Sequence, residues 1–323
     1  MTITAEVICD SLHPYENDRL TTLELTYPRF IHSEFMTHRV LSRNASSSRA
    51  IPVEKQIKMI MENPAMPIHW GKAQKGMQAE FENDALIYHG SVSSLDMIDN
   101  TFDGVTAESA WLKARDRAVS IAEGFLAAGY HKQVVNRLLE PFSHITVIAT
   151  GNWNNFLWLR NHPDAQPEIR ELARCILEAM NASKPTILGY GEWHLPYITE
   201  DERFAVDNIY LGHGDYDTQP VYDEDDLLKM STARCARVSY LTHDGAAPTF
   251  AQDVALFDRL VGSAPLHASP AEHQAKAMEP HFGTYGQIIY PDEHLSGNFA
   301  ECWTQHRKTL PGENHTRYEE LAQ

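Results

Sequence analysis

Apolar and polar positions alternate or recur in ways that predict a mixed chain of strands and helices. Residues 3–9 (Ile-Thr-Ala-Glu-Val-Ile-Cys) read as a strand. Residues 20–27 alternate Leu20, Thr22, Glu24, Thr26 against Thr21, Leu23, Leu25, Tyr27, which predicts a second strand. Pro28 stops it and is tolerated at the start of a helix from about Arg29, with Phe30, Phe35 and Met36 turned toward packing. Residues 53–61 predict a helix, and Pro64, Pro67, Gly71 and Gly76 break up the next stretch. Residues 105–128 carry Trp111, Ala114, Ala118, Ile121 and Phe125 at helical spacing, with Gly129 as the stop.

The second half continues in the same manner. Residues 132–139 predict a helix ended by Pro141, and residues 144–150 are β-branched like a buried strand. A helix over residues 152–160 ends in Arg160. Residues 166–180 predict an amphipathic helix with Ile169, Ala173, Ile176 and Met180 on one face. Residues 185–225 are rich in Pro, Gly, Tyr and acid and read as a loop-bearing linker. Residues 224–239 contain a helix. Thr249 and Gln252 form a capping-box pattern that opens another, striped by Phe250, Val254, Phe257 and Val261. Residues 297–308 suggest a last helix with Trp303 inward.

Bulk composition narrows the function classes. A chain of 323 residues allows one large domain or two, and its net charge of −17 disfavours broad nucleic-acid binding. Cys9, Cys175, Cys235 and Cys302 are scattered, without a Cys-x-x-Cys pair, which fits free thiols in a reducing cytoplasm. Neither a signal peptide nor a run long enough to span a bilayer is expected. His213 lies near Asp215 and Asp217, but no metal-binding spacing is present, so a solvated acidic loop is expected and no metal.

One stretch stands out chemically. Residues 37–49 (Thr-His-Arg-Val-Leu-Ser-Arg-Asn-Ala-Ser-Ser-Ser-Arg) hold three arginines, a histidine, an asparagine and four serines. Donors this dense suit an anionic ligand, since guanidinium forks chelate phosphate and hydroxyls fill in around it. A basic helix start followed by a Ser-rich turn would read the same way.

The spacing of Thr37-His38-Arg39, Ser42, Asn44, Ser47 and Arg49 closely resembles the signature of the flavin-dependent thymidylate synthases. Asn155-Phe156-Leu157-x-Leu159-Arg160 resembles that family's C-terminal block. Val134-Val135-Asn136-Arg137-Leu138-Leu139-x-Pro141 resembles its Ala-Arg-hydrophobic-Pro segment. Ala236-Arg237-Val238-Ser239 and His267-x-Ser269-Pro270-x-Glu272-His273 resemble segments that in the family precede the signature. Here they come after Arg160, which suggests a circular permutation. Three parts are then expected: a catalytic core over 1–184, an acidic loop-rich linker over 185–230, and a permuted segment over 231–323 that completes the flavin site.

The resemblance implies an α+β (α/β) fold, a central and mostly antiparallel sheet flanked by helices, the thymidylate synthase-complementing protein fold. It implies a cytoplasmic homotetramer with active sites at its interfaces. The implied reaction is FAD-dependent transfer of a one-carbon unit from 5,10-methylenetetrahydrofolate to C5 of dUMP, giving dTMP, with NADPH reducing the flavin. It assigns catalysis to Arg160, whose fixed charge would polarise the pyrimidine. It assigns substrate to Glu34, Thr37, Ser47, Ser48, Arg49 and Arg137, and flavin to His38, Arg39, Asn155, His267 and Ser269. Taken alone, Arg137 would be a helix-surface arginine, and His267 and His273 packed or solvated histidines. Thr37, Ala45 and Ala50 stand where the family has Arg, Glu and Tyr. Glu34 replaces a usual glutamine, and Gly151 an arginine. These departures open two alternatives: methylation or hydroxymethylation of another pyrimidine monophosphate such as dCMP, or a degenerate homologue that only binds nucleotide.

Overall fold

The computed structural model describes residues 3–88, 104–203, 222–238, 248–262 and 266–313. Five strands form the main sheet: β1 (Thr4–Leu12), β2 (Arg19–Pro28), β3 (Ser42–Ala45), β4 (His144–Gly151) and β5 (Thr186–Ile187), in the order β3-β4-β2-β1-β5. Every pairing is antiparallel except β1 with β5. The short strands β6 (Trp193–His194), β7 (Ala275–Ala277) and β10 (Trp303–Gln305) form a second sheet in the order β10-β7-β6. The hairpin of β8 (His281–Phe282) and β9 (Ile288–Ile289) stands apart. In chain order the helices are α1 (His32–Met36), α2 (Val53–Glu62), α3 (Ala107–Ala127), α4 (Lys132–Val135), α5 (Asn154–Arg160), α6 (Pro167–Ala182), α7 (Glu224–Ala236), α8 (Phe250–Val261) and α9 (His306–Thr309).

Strand alternation sets the layers. Leu23, Leu25 and Tyr27 on β2 and Ile145, Val147 and Ala149 on β4 point to one face, where they pack with Ile31, Phe35, Trp153 and Phe156. The helix α6 closes that core. Its Ile169, Ala173, Ile176 and Met180 are buried as their spacing predicts.

The opposite face carries polar groups that must find partners. Thr22 and Thr150 share a 2.7 Å hydrogen bond. Thr22 also meets His194 Nε2 at 2.8 Å, and Thr150 meets His273 Nδ1 at 2.8 Å. The second sheet and the 3₁₀ turn Ser269–Glu272 cover this face. Beside them, Asp253 on α8 is fully buried and accepts from Arg234 and Arg237 on or just beyond α7.

Several expectations are corrected. The helix from Arg29 is a 3₁₀ turn, Arg29–Ile31, followed by only five residues, so Met36 lies at its end and is 42% exposed. Ile121 is 54% exposed because α3 turns Val119 and Ala122 inward instead. On α8 the buried face is centred on Asp253, Leu256 and Leu260, since the arginine pair draws Asp253 inward; Phe250, Phe257 and Val261 flank it. Trp303 is fully buried, but on strand β10, with the last helix starting only at His306. Within the stretch read as a linker, Trp193 and His194 form a buried strand. His213, Asp215, Asp217 and Ser239 lie outside the described residues.

The capping box of Thr249 and Gln252 is present, Gly129 follows α3 with a φ of 82°, and all four cysteines are free. Among the described residues, no helix is long and apolar enough to cross a membrane, and no group of three or more His, Cys, Asp or Glu is placed to hold a metal ion.

Candidate active site

Apart from Ser48 and Arg137, the residues singled out by the sequence fall into three groups. The first forms where the turn after α1 meets the end of α5. Arg160 Nε donates to His38 Nε2 at 2.8 Å, and its Nη2 reaches Thr37 Oγ1 at 3.4 Å. A bond received at Nε2 requires His38 to carry its proton on Nδ1. Burial, then the nearby Arg160 and Arg43 guanidiniums, pushes the His38 pKa down to about 4, so the ring is a neutral acceptor at pH 7. The buried Phe156 packs edge-on against it, with ring centroids 4.7 Å apart. Arg43 holds the turn by donating to the carbonyls of Met36 and His38. Thr37 Oγ1 donates to Glu34 O, and the Glu34 carboxylate accepts from Ser33. Arg39 is exposed on the same turn.

The second group surrounds a cavity of about 400 Å³. Ser47 and Arg49 line it from the loop after β3, and His267 and Ser269 line it from the far end of the sequence, with His131 and Gln133 between them. The juxtaposition follows from packing. The Ser269–Glu272 turn sits on β3, and Asn44 Nδ2 donates to Cys235 O at 3.5 Å. His273 holds Thr150 on β4. Gln305 Nε2 donates to Glu272 O at 3.1 Å and to Ser42 Oγ at 3.3 Å.

Ser48 and Arg137 do not line that cavity. Ser48 is buried, and its hydroxyl donates to Glu140 Oε1 at 2.8 Å; Arg137 Nη1 donates to the same oxygen at 2.9 Å. Asn136 Nδ2 fixes the loop through the carbonyls of Ser48 and Ile51.

Asn155 belongs to a third group. It is exposed and lines a cavity of about 330 Å³ with Asp18, Val40, Asn298 and Phe299. Asn298 ties this corner to the signature, donating to Val40 O at 2.7 Å and accepting from Ser42 Oγ. Gly151 faces Leu41 so closely that a Cβ there would lie 2.8 Å from Leu41 Cδ2, so the arginine usual in the family could not stand there without moving Leu41.

Sequence reasoning missed Glu140, although an acid between Arg137 and Pro141 was visible. It also missed Asn298 and Gln305, which lie in a tail without a motif. A larger cavity of about 810 Å³ lies beyond Ser46, between α2 and the sheet face carrying Glu24 and Thr26. Tyr197, Glu202, Arg234 and Arg237 close its far side, and Tyr197 donates to Glu24 at 2.7 Å.

A family model of thymidylate synthase complementing proteins matches residues 19–186. Similar solved structures include a UMP/dUMP methylase from Streptomyces cacaoi bound with 5-Br dUMP, at 18% identity over 50% of this chain and 66% of that one, with a TM-score of 0.32. They also include flavin-dependent thymidylate synthase from Helicobacter pylori complexed with FAD and dUMP, at 16% identity over 50% of this chain and 67% of that one, with a TM-score of 0.31. The chain thus spans about two thirds of the length of these relatives. No curated protein matches it.

Proposed function

This chain belongs to the thymidylate synthase complementing protein family, and from that premise we propose that it transfers a one-carbon unit from 5,10-methylenetetrahydrofolate to C5 of dUMP, with FAD as its flavin and NADPH as the reductant. One observation carries the reading: Ser47 and Arg49 of the signature and His267 and Ser269 of the displaced segment line one cavity. Two segments distant in sequence meet where a flavin nucleotide needs both cationic and hydroxyl donors.

The donor set fits such a group. His267 and Ser269 are exposed toward the cavity, and Arg49 is an exposed cation beside them. His267, Ser269, His38, Arg39 and Asn155 would hold the flavin, which when bound supplies the redox chemistry of the transfer. Glu34, Thr37, Ser47, Ser48, Arg49 and Arg137 form the wider nucleotide region. Arg160 directs its charge at the pyrimidine N3/C4 edge, stabilising the negative charge that develops there as the ring is activated for bond formation from C5. Neutral His38 orients that guanidinium without competing with its charge.

The same reading treats the chain as permuted, with residues 1–184 as the core, 185–230 as the connection and 231–323 as the part that completes the flavin site. The packing of Ser269–Glu272 on β3 supports it. A cytoplasmic homotetramer belongs to this reading as well. The full chain is to be assayed with dUMP or dCMP, methylenetetrahydrofolate, FAD and NADPH, and the product weighed by mass spectrometry. A gain matching a methyl group on dUMP is expected. Absence of any mass change on either nucleotide, with flavin bound, would refute the enzymatic reading.

A further inference from the structure

The loop after β3 places its anion donors in two different environments. Ser47 and Arg49 face the open cavity. Ser48 and Arg137 both spend a donor on one oxygen of Glu140, at 2.8 and 2.9 Å. Glu140 is held from behind as well: Ser143 donates both its amide and its hydroxyl to the Glu140 carbonyl. Arg29, fixed by its own bonds to Ser143 and Ser46, lies within electrostatic reach of the same carboxylate. The acid therefore sits where a bound phosphate would have to stand if Ser48 and Arg137 were to chelate it. A phosphate placed there would meet a like-charged carboxylate whose side chain is only 25% exposed, so that the repulsion is incompletely screened by solvent.

We infer that Glu140 is a specificity-determining residue that withholds Ser48 and Arg137 from the substrate phosphate, so that this site accepts pyrimidine deoxynucleosides as well as their monophosphates. The inference rests on the pyrimidine nucleotide site proposed above. It makes Ser47 and Arg49 the phosphate contacts and Arg137 the counter-ion of an internal acid. Glu140→Gln keeps an acceptor for Ser48 in the same shape while freeing the Arg137 charge. Glu140→Gln with Arg137→Gln restores the original charge balance.

The test is calorimetric titration of the full chain, with FAD present, using dUMP and 2′-deoxyuridine as separate ligands. Wild type is expected to bind the two within tenfold of each other. The E140Q protein should bind dUMP at least tenfold more tightly with its deoxyuridine affinity unchanged, the gain of one charge-assisted hydrogen bond. The double variant should return to within threefold of the wild-type ratio. The inference is overturned if wild type binds both ligands and E140Q shifts their affinity ratio by less than fivefold or weakens dUMP. If wild type binds neither ligand, the nucleotide site itself is refuted and the inference falls with it.

Discussion

The buried histidine behind the sheet makes the most direct test of how the two distant segments are joined. His273 is completely buried, and its Nδ1 lies 2.8 Å from Thr150 Oγ1 on β4. Its Nε2 is buried with no hydrogen-bond partner among the described residues. A neutral ring that donates from Nδ1 leaves only a bare lone pair at Nε2. Protonation would add a buried N–H with nothing to receive it, so burial holds the pKa down to about 3 against 6.5 for a free imidazole. The sign follows from linkage. The unfolded chain takes up the proton first, so this contribution to stability is intact above pH 6.5 and is lost progressively as pH falls toward 3.

Between pH 8 and pH 5 the unfolded ring gains nearly one proton and the folded ring almost none. The corresponding loss is about 2 kcal/mol, with a limiting slope of about 1.4 kcal/mol per pH unit. Other buried histidines, including His194 at about 3 and His306 at about 4, add to the total acid sensitivity. His273→Asn removes this one titration while leaving a polar group near Thr150. Guanidinium unfolding of wild type and H273N should be followed at pH 8 and pH 5, where carboxylates contribute little because their unfolded values lie lower. The wild type is expected to lose about 2 kcal/mol more than H273N over that interval. Equal losses in the two proteins would show that His273 is protonated in the folded state and would refute the reasoning.

Three further outcomes are expected. Asp253→Ala removes the buried carboxylate shared by Arg234 and Arg237 and should cost about 3–5 kcal/mol in guanidinium unfolding; a loss under about 1 kcal/mol would mean that the α7–α8 ion cluster is not needed. Arg160→Ala should lower kcat for dTMP formation by about 10²–10³, and Arg160→Lys by less, because the charge remains while the Nε bond to His38 is lost; unchanged kcat in the alanine variant, measured on flavin-loaded protein, would remove Arg160 from the chemistry. Gly151→Ala pushes a methyl group against the buried Leu41 and should destabilise by about 1–3 kcal/mol, and a neutral effect on thermal melting would show that the turn carrying His38 yields freely.

What could be read from the sequence, and what could not, depends on where each stabilising term comes from. The strands β2 and β4 and the helix α6 were legible because burial against a single apolar core imposes a period of two or of 3.6 along the chain. The stripe of α8 packs at the edge of its buried face, but the centre of that face was not legible because its innermost residue is an acid, Asp253. Two arginines near the end of α7 neutralise it, and a hydrophobic stripe cannot register a charge buried through pairing. Trp303 was rightly placed inward but in the wrong element, since the three residues of β10 are too few to show a period. The anion stretch was legible as a density of donors, but its division was not. Whether Ser48 and Arg137 serve a ligand or an internal acid depends on Glu140, and pairing of this kind is fixed by the short turns of residues 136–142. Motif spacing thus locates the site, while the partners supplied between motif positions decide which of its charges remain available to a ligand.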